Sequence, residues 1–198
     1  MARSLLVTGA AGFIGANFTH YWMEHHPDDT VVAYDALTYA GNRANLDALR
    51  EKKNFSFVHA DICDYELVLQ TLHEYRVDTV VHFAAESHVD RSITGPDAFI
   101  ETNVVGTHTL LKAAREAWLS GGKSKEPRFH HVSTDEVYGS LSAQAPGFHE
   151  QQKYEPNSPY SASKAASDHL VRAYHHTSDL QVSPSNCSYI YGPYHFPK

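Results

Sequence analysis

Residues 9–15 read Gly9-Ala10-Ala11-Gly12-Phe13-Ile14-Gly15, and they lie between a short apolar run, Leu5–Val7, and a helical pattern over Phe13–His25. The first glycine permits a tight turn, the second lets backbone N–H groups approach a pyrophosphate, and the third lets helix and strand pack closely. Glycines also serve ordinary turns, so this spacing alone does not establish a ligand. The stretch predicts a strand–turn–helix unit that can bind a dinucleotide, with Phe13 and Ile14 at its helix start.

Apolar runs alternate with helical patterns along the rest of the chain. Strands are predicted at Thr30–Tyr34, Phe55–His59, Thr79–Phe83 and Phe129–Val132, with one more before Ser185. Helices are predicted at Tyr65–Tyr75, Ile100–Leu119 and Tyr160–His176. Because strands that alternate with helices form βαβ units, we expect an α/β fold, a doubly wound parallel sheet of the Rossmann type.

Two polar stretches rich in glycine or proline are predicted to lie outside the regular elements. Gly121-Gly122 are expected to end the helix that begins near Ile100, within a surface excursion over Ser120–Pro127. Ser140–Pro159 contains two proline-bearing turn signals and is predicted to be a long ordered loop over a site.

The composition is that of an ordinary globular protein. The 198 residues, 42% hydrophobic and 20% charged, suffice for one substantial domain. A net charge of −7 without a Lys/Arg cluster argues against a nucleic-acid partner, and no apolar run approaches the ~18 residues of a membrane helix. Cys63 and Cys187 give neither a disulfide framework nor a metal spacing. With no signal-peptide pattern after Met1, we expect a cytoplasmic protein that holds no metal.

Two acidic residues that follow predicted strands strengthen the dinucleotide hypothesis. Asp35 lies at the end of the second strand, 26 residues after Gly9, where a carboxylate can accept hydrogen bonds from adenosine ribose hydroxyls. Its charge would repel a 2′-phosphate, so NAD is favoured over NADP. Asp61-Ile62 follow the third strand, where Asp61 can cap the next helix, a role that is compatible with a cofactor contact.

Tyr160-Ser161-Ala162-Ser163-Lys164 places a tyrosine and a lysine at i and i+4, on one face of a predicted helix. A tyrosine near its reference pKa of ~10 is a poor base at neutral pH, but a nearby ammonium and a cationic nicotinamide both lower that pKa. Such a tyrosine can take a proton from a carbinol while hydride leaves the same carbon. The alternative is an ordinary helix surface.

Ser133-Thr134-Asp135-Glu136-Val137-Tyr138-Gly139 follows the fifth predicted strand, at the edge where open α/β sheets bind ligands. Thr134 is placed to hydrogen-bond an oxygen that is being oxidised. Asp135 and Glu136 are adjacent carboxylates, of which one could protonate a leaving hydroxyl while the other removes a carbon-bound proton. The alternative is a solvated turn that carries two acids.

Together these segments resemble the motifs of the dTDP-glucose 4,6-dehydratases, which are extended short-chain dehydrogenases. The resemblance also includes Ala84-Ala85-Glu86-Ser87-His88-Val89-Asp90-Arg91-Ser92-Ile93 and covers nearly the whole chain. Its most specific element is Thr134-Asp135-Glu136, because the related sugar epimerases lack that acid pair. The sequence departs from the family after Asn186-Cys187-Ser188, where two asparagines that serve substrate and cofactor are replaced by Tyr189-Ile190.

The resemblance implies NAD-dependent dehydration of a nucleoside-diphosphate glucose, dTDP-glucose above all, to the 4-keto-6-deoxy sugar nucleotide. Hydride would pass from carbon 4 to NAD and return to carbon 6. Tyr160 would deprotonate the carbon-4 hydroxyl, while Lys164 would hold the nicotinamide ribose and tune Tyr160. Glu136 would take the carbon-5 proton while Asp135 protonates the departing carbon-6 hydroxyl. Thr134 would hydrogen-bond the sugar at oxygen 4.

The resemblance further implies a set of contacts. The cofactor-binding residues would be Gly9, Gly12, Phe13, Ile14, Gly15, Asp35, Ala36, Leu37, Thr38, Asp61, Ile62, Phe83, Ala84, Ala85, Glu86, Ser87, Thr102, Tyr160 and Lys164. The substrate-binding residues would be Ser87 and Thr134. A homodimer paired through two long helices is also implied, with residues 1–198 as the NAD-binding domain and the C-terminal sugar-nucleotide domain largely absent.

Two alternatives stay open. One is another sugar-nucleotide epimerase or dehydratase of the superfamily, such as a GDP-mannose-type dehydratase. The other is a non-catalytic NAD-binding module, which would bind the cofactor without turnover.

Overall fold

One parallel sheet organises the chain in the computed structural model, which describes residues 2–119 and 126–195. Its strands are β1 (Ser4–Thr8), β2 (Thr30–Asp35), β3 (Phe55–His59), β4 (Thr79–His82), β5 (Arg128–Thr134) and β6 (Val182–Cys187). They lie in the order β3-β2-β1-β4-β5-β6, and every neighbouring pair is parallel. This is the strand order of a dinucleotide-binding Rossmann sheet, so the predicted doubly wound fold is confirmed.

Helices connect the strands on both faces of the sheet. They are α1 (Phe13–His25), α2 (Tyr65–Glu74), α3 (Val89–Thr94), α4 (Asp97–Phe99), α5 (Thr107–Leu119) and α6 (Pro159–Ser178). Two short 3₁₀ helices cover Arg43–Leu49 and Asp135–Tyr138, and a π-helical segment covers Ile100–Gly106.

The helix predicted from Ile100 to Leu119 is helical throughout, but its first seven residues are wound as a π-helix that leads into α5. Its predicted end at Gly121-Gly122 lies outside the described residues, as does most of the predicted surface excursion. The short α3 and the 3₁₀ helix at Arg43–Leu49 were not predicted. Residues 139–158 contain no helix or strand, in agreement with the predicted loop.

The central strands β1, β2 and β4 are buried on both faces, because successive side chains point to opposite sides of the sheet and helices cover both sides. On one face, strand residues pack against α2 and α5, namely Leu6, Val32, Tyr34, Val80 and Phe129. On the other face, strand residues pack against α1 and the first 3₁₀ helix, namely Leu5, Val7, Val31, Ala33 and Val81. The residues left accessible are therefore those at the strand ends.

The start of α6 is fixed by local sequence. Ser158 is its N-cap, and its hydroxyl accepts a hydrogen bond from the Ser161 backbone N–H at 3.0 Å. The Ser161 hydroxyl in turn accepts from the Ser158 backbone N–H at 3.0 Å, which completes a capping box. Pro159 occupies the first helical position, where its missing N–H costs no hydrogen bond. Tyr160 is thereby held in the first turn of the helix.

We expect Gly15→Ala to destabilise the domain by roughly 1–3 kcal/mol, because a Cβ at residue 15 would overlap the Gly9 carbonyl oxygen and lie 2.8 Å from Ala10 Cα. Urea unfolding followed by circular dichroism measures the change. The matched control is Gly147→Ala, because a Cβ at residue 147 has nothing within 4 Å. Equal stability of the two variants would show that α1 does not depend on this close approach.

Candidate active site

A cleft of about 610 Å³ runs along the carboxyl ends of the strands. The strand order reverses between β2 and β4, which flank β1, and open α/β sheets bind ligands at such a switch point. The cleft is lined by the glycine turn after β1, by Asp35 at the end of β2, by the chain leaving β4, and by residues that follow β5 and begin α6.

The glycine turn brings three stretches of backbone into contact. Gly9 has a φ of +66°, and a Cβ there would lie 2.6 Å from the Ala84 backbone nitrogen. Only glycine fits this position without strain. Gly12 is the N-cap of α1 and has no side chain to cap it, so the first N–H groups of the helix face the cleft. Such a helix terminus favours an anionic group.

Asp35 joins the glycine turn to the loop that follows β2. Its side chain is 8% exposed, its Oδ2 accepts a hydrogen bond from the Ala11 N–H at 2.8 Å, and its Oδ1 accepts from the Leu37 N–H at 2.7 Å. Each carboxylate oxygen has a second lone pair for a further donor. Asp35 can therefore keep these contacts and still accept hydrogen bonds from a ligand's hydroxyl groups.

Asp61 and Ile62 line the cleft after β3, but Asp61 does not cap the next helix. Its Oδ1 accepts a hydrogen bond from the Cys63 N–H at 2.8 Å. The N-cap of α2 is Asp64, whose Oδ1 accepts from the Leu67 N–H at 3.1 Å. The capping role considered for Asp61 is therefore wrong, because the helix begins three residues later than that role requires.

Tyr160 and Lys164 both line the cleft from α6. Lys164 is 4% exposed, and its Nζ donates a hydrogen bond to the Val132 carbonyl oxygen at 2.8 Å. Burial raises the pKa of Tyr160 to about 12, with the Glu136 carboxylate adding to the rise and the Thr134 hydroxyl opposing it. The sequence predicted a lowered pKa for this tyrosine. In the protein alone that direction is wrong, because burial and nearby anions dominate.

The Thr134–Glu136 stretch turns into the cleft at the end of β5. The Thr134 hydroxyl accepts a hydrogen bond from the Glu136 N–H at 3.2 Å and caps the second 3₁₀ helix. Asp135 is half-buried and Glu136 is exposed. Both carboxylates raise the pKa of Tyr160, so both act electrostatically on its phenol. The two acids and the tyrosine thus share one end of the cleft.

Asn103, which sequence reasoning missed, ties three elements of the site together. Its Oδ1 accepts from the Glu86 N–H at 2.9 Å, and its Nδ2 donates to the Glu86 carbonyl oxygen and to Ser163 Oγ, both at 2.9 Å. It lies in the π-helical segment next to Thr102, which lines the cleft. No local pattern singles out this asparagine, because its partners are 17 and 60 residues away.

All but one of the residues predicted for the site line this cleft. The exception is Leu37, which has a φ of +52° and packs against the core beside α1, so its cofactor contact stays a prediction. Lining residues to which the sequence assigned no role include Tyr39, His88, Val132, Ser133, Cys187 and His195. Arg91 from α3 stacks on the Tyr39 ring at 4.1 Å, a contact that depends on the unpredicted α3. Tyr189 and Ile190 also line the cleft.

The fold and the cleft define a Rossmann-type α/β domain that carries a Tyr-x-x-x-Lys helix at its ligand-binding edge. A family model described as GDP-mannose 4,6 dehydratase matches residues 6–198. The chain belongs to this family.

Similar proteins confirm the resemblance to dTDP-glucose 4,6-dehydratases. The enzyme of Salmonella typhimurium is 52% identical over 98% of this chain and 56% of its own length, and that of Xanthomonas campestris strain B100 is 56% identical over 98% and 55%. The Streptomyces venezuelae enzyme, crystallised with NAD, is 50% identical with a TM-score of 0.89 over 98% of this chain and 58% of its own. The chain therefore spans about half the length of the curated relatives it matches.

Two further findings concern the part of the chain that the structure describes. Across residues 2–119 and 126–195, no helix is both long enough and apolar enough to span a bilayer. Within the same ranges, no three His, Cys, Asp or Glu side chains are grouped so that they could hold a metal ion.

We expect Tyr160 to titrate with a midpoint of about 12 in the protein alone, because burial and Glu136 disfavour the phenolate. Carbon-13 labelling of tyrosine Cζ, with the signal assigned by Tyr160→Phe, gives the titration by NMR. Glu136→Gln should lower the midpoint, because it removes a nearby negative charge. Glu74→Gln, at the end of α2, is the matched control and should leave it unchanged. A Tyr160 midpoint near 10 in the parent would contradict the burial argument.

Proposed function

We propose that residues 1–198 form the NAD-binding and catalytic domain of an enzyme that dehydrates a nucleoside-diphosphate glucose, with dTDP-glucose as substrate. The product is the 4-keto-6-deoxy sugar nucleotide. The observation that carries the proposal is that one cleft joins the glycine turn to the proposed catalytic residues, which are Thr134, Asp135, Glu136, Tyr160 and Lys164. The similarity to dTDP-glucose 4,6-dehydratases supports the same substrate class.

The residues of the cleft fit NAD. The uncapped start of α1 and the Gly9 turn, which leaves no room for a side chain, suit a pyrophosphate. Asp35 keeps free lone pairs for the adenosine ribose hydroxyls, and Asp61 with Ile62 lies where the adenine would contact the domain. Bound there, NAD supplies the hydride acceptor for carbon 4 and the hydride donor for carbon 6.

Tyr160 is the base for the oxidation at carbon 4. Its phenolate takes the hydroxyl proton, and the Thr134 hydroxyl hydrogen-bonds the same sugar oxygen. Lys164 holds the nicotinamide ribose and stabilises the phenolate by its charge. Because burial raises the pKa of Tyr160 to about 12 with Lys164 already in place, the positive charge of the oxidised cofactor would also be needed for reaction near neutral pH.

The two acids carry out the elimination of water. The ketone at carbon 4 acidifies the carbon-5 proton, which Glu136 removes. Asp135 gives its proton to the carbon-6 hydroxyl, which leaves as water while a carbon–carbon double bond forms. Adjacent carboxylates in different surroundings can serve as one acid and one base, and here Asp135 is half-buried while Glu136 is exposed.

The family also suggests an assembly and a location for the protein. We infer a homodimer that pairs through the two long helices α5 and α6. A cytoplasmic location agrees with the two free thiols, Cys63 and Cys187. Ser87, which is exposed in the cleft, is assigned to both cofactor and substrate.

The chain should bind NAD⁺ at least roughly tenfold more tightly than NADP⁺, a difference of about 1.4 kcal/mol, because the Asp35 carboxylate would face the 2′-phosphate. Isothermal titration calorimetry with both cofactors measures the ratio. The advantage of NAD⁺ should shrink in high salt, since the repulsion is electrostatic. Equal affinity for the two cofactors would show that Asp35 does not lie at the ribose.

Asp135→Asn should slow the elimination of water by ~10²–10⁴ while hydride transfer from carbon 4 continues, because the leaving hydroxyl loses its acid. Enzyme-bound NADH absorbance should then accumulate with dTDP-glucose. Glu136→Gln should stall at the same stage and also lose exchange of the carbon-5 proton with solvent deuterium.

The assay uses this domain joined to the remaining sequence of the Xanthomonas campestris relative, with Tyr189→Asn and Ile190→Asn introduced in the parent. Tyr160→Phe is the control, since it should block the reaction before any NADH forms. If both acid variants turn over at the parental rate, the dehydratase proposal is wrong.

A further inference from the structure

Asp168 lies one helical turn after Lys164 and two after Tyr160, on the same face of α6. It is 7% exposed and does not line the cleft. Its Oδ2 accepts hydrogen bonds from Ser133 Oγ and from the Tyr154 hydroxyl, both at 2.9 Å. Donors from β5 and from the 139–158 loop therefore converge on one buried carboxylate.

The contacts around Asp168 determine which groups carry charge. His131 Nε2 lies 3.1 Å from Asp168 Oδ1, but burial and the Lys164 ammonium lower the pKa of His131 to about 4, so this imidazole is neutral at physiological pH. Burial acts to raise the pKa of Asp168, but the neighbouring His131, Ser133 and Lys164 together hold it below its ordinary value. Asp168 is therefore a buried anion one helical turn from Lys164, and the two side chains bond to consecutive residues of β5, Ser133 and Val132.

Lys164 is surrounded by groups from several elements. Burial, with the Lys164 charge in addition, lowers the pKa of His82 on β4 and of His131 on β5. Asp168 on α6 and Cys187 on β6 act to raise the pKa of Lys164 itself. Burial lowers the pKa of Lys164 to about 8, and Asp168 is the foremost group that opposes this fall. A buried charge that loses its partner is strongly disfavoured. The protonation of Lys164 thus depends on a residue outside the cleft.

We propose that Asp168 is a positioning residue, which keeps the Lys164 ammonium charged and directed at the nicotinamide ribose while anchoring α6 to β5 and to the 139–158 loop. The assignment rests on the proposed function of Lys164. It extends that function to a third residue of the helix face, so that the Tyr-x-x-x-Lys pair works as Tyr-x-x-x-Lys-x-x-x-Asp in this chain. Asp168 itself touches neither cofactor nor substrate.

The first test needs no cofactor. Lysine Cε and Nζ signals of the chain are followed by NMR from pH 5 to 10, with Lys164 assigned by Lys164→Met. Asp168→Asn, which keeps the shape of the side chain, should lower the Lys164 midpoint by about one pH unit, a tenfold weaker proton affinity. Tyr154→Phe removes one hydrogen bond from Asp168 but leaves its charge, and should leave the midpoint nearly unchanged. An unchanged midpoint in Asp168→Asn overturns the proposal.

The second test measures NADH binding by fluorescence at pH 6 and pH 7.5. Asp168→Asn should bind as the parent does at pH 6, where Lys164 is protonated in both proteins. At pH 7.5 its affinity should be weaker by up to roughly threefold, because a midpoint lowered from about 8 by one pH unit leaves about a third as much protonated Lys164, and a neutral amine donates a weaker hydrogen bond. A loss of equal size at both pH values indicates a structural role only and overturns the proposal. A parent that binds no NADH overturns the proposed function instead, and the NMR titration still decides the role of Asp168.

If Asp168→Asn alone does not fold, the double variant with Lys164→Met and Asp168→Asn still tests the interaction between the two charges. Because the two charges compensate each other, Lys164→Met should be strongly destabilising in urea unfolding, and adding Asp168→Asn to it should restore stability. If the two effects simply add, Asp168 and Lys164 are not a charge pair and the proposal is wrong.

Discussion

The backbone leaving β1 must pass within contact distance of both the chain leaving β4 and the first turn of α1, and the rest of the cleft depends on this approach. A Cβ on Gly9 would lie 2.6 Å from the Ala84 backbone nitrogen, and a Cβ on Gly15 would overlap the Gly9 carbonyl oxygen. Because Gly9 and Gly15 have no side chains, these three backbone segments can lie in contact. As a consequence the polarised end of α1, the Asp35 carboxylate and the residues after β4 all border the same space.

Behind the cleft, buried polar side chains fix the positions of elements that apolar packing alone would let slide. His82 on β4 hydrogen-bonds Thr8 on β1 at 2.7 Å and Thr107 on α5 at 2.9 Å. Asn103 likewise hydrogen-bonds the backbone of Glu86, after β4, and the hydroxyl of Ser163 on α6, both at 2.9 Å. Such bonds have strict geometry, and a buried polar group left without its partner is costly. These hydrogen bonds therefore fix the relative positions of the elements that line the cleft. Fixed positions suit the proposed reaction, which needs its proton donors and acceptors at defined places.

The sequence predicts those features of the fold and the site that depend only on residues close together along the chain. The glycine turn, the buried strands and the i, i+4 spacing of Tyr160 and Lys164 are local signals, and the sheet and the helix α6 follow from them within a few residues. The π-helical winding at Ile100–Gly106 and the roles of Asn103 and Asp168 could not be read in this way, since Asn103 and Asp168 bond to residues 60 and 35 positions distant. The rise in the pKa of Tyr160 in the protein without cofactor could not be read from the spacing either. Spacing indicated a nearby lysine, but burial and the facing acids are properties of the assembled fold.

The burial and the charges of the site decide whether its tyrosine can ionise. Burial raises the pKa of the Tyr160 phenol to about 12 in the protein alone, and the Glu136 and Asp135 carboxylates add to the rise. Asp168 also raises the pKa of Tyr160, so the carboxylate that we propose as the partner of Lys164 disfavours the phenolate as well. A cation placed beside the phenol would favour its ionisation, and in a buried site such an interaction is stronger than in water. Burial first, and the two carboxylates in addition, thus hold the phenol protonated. In the proposed mechanism, the oxidation would therefore depend on the positive charge of the oxidised cofactor.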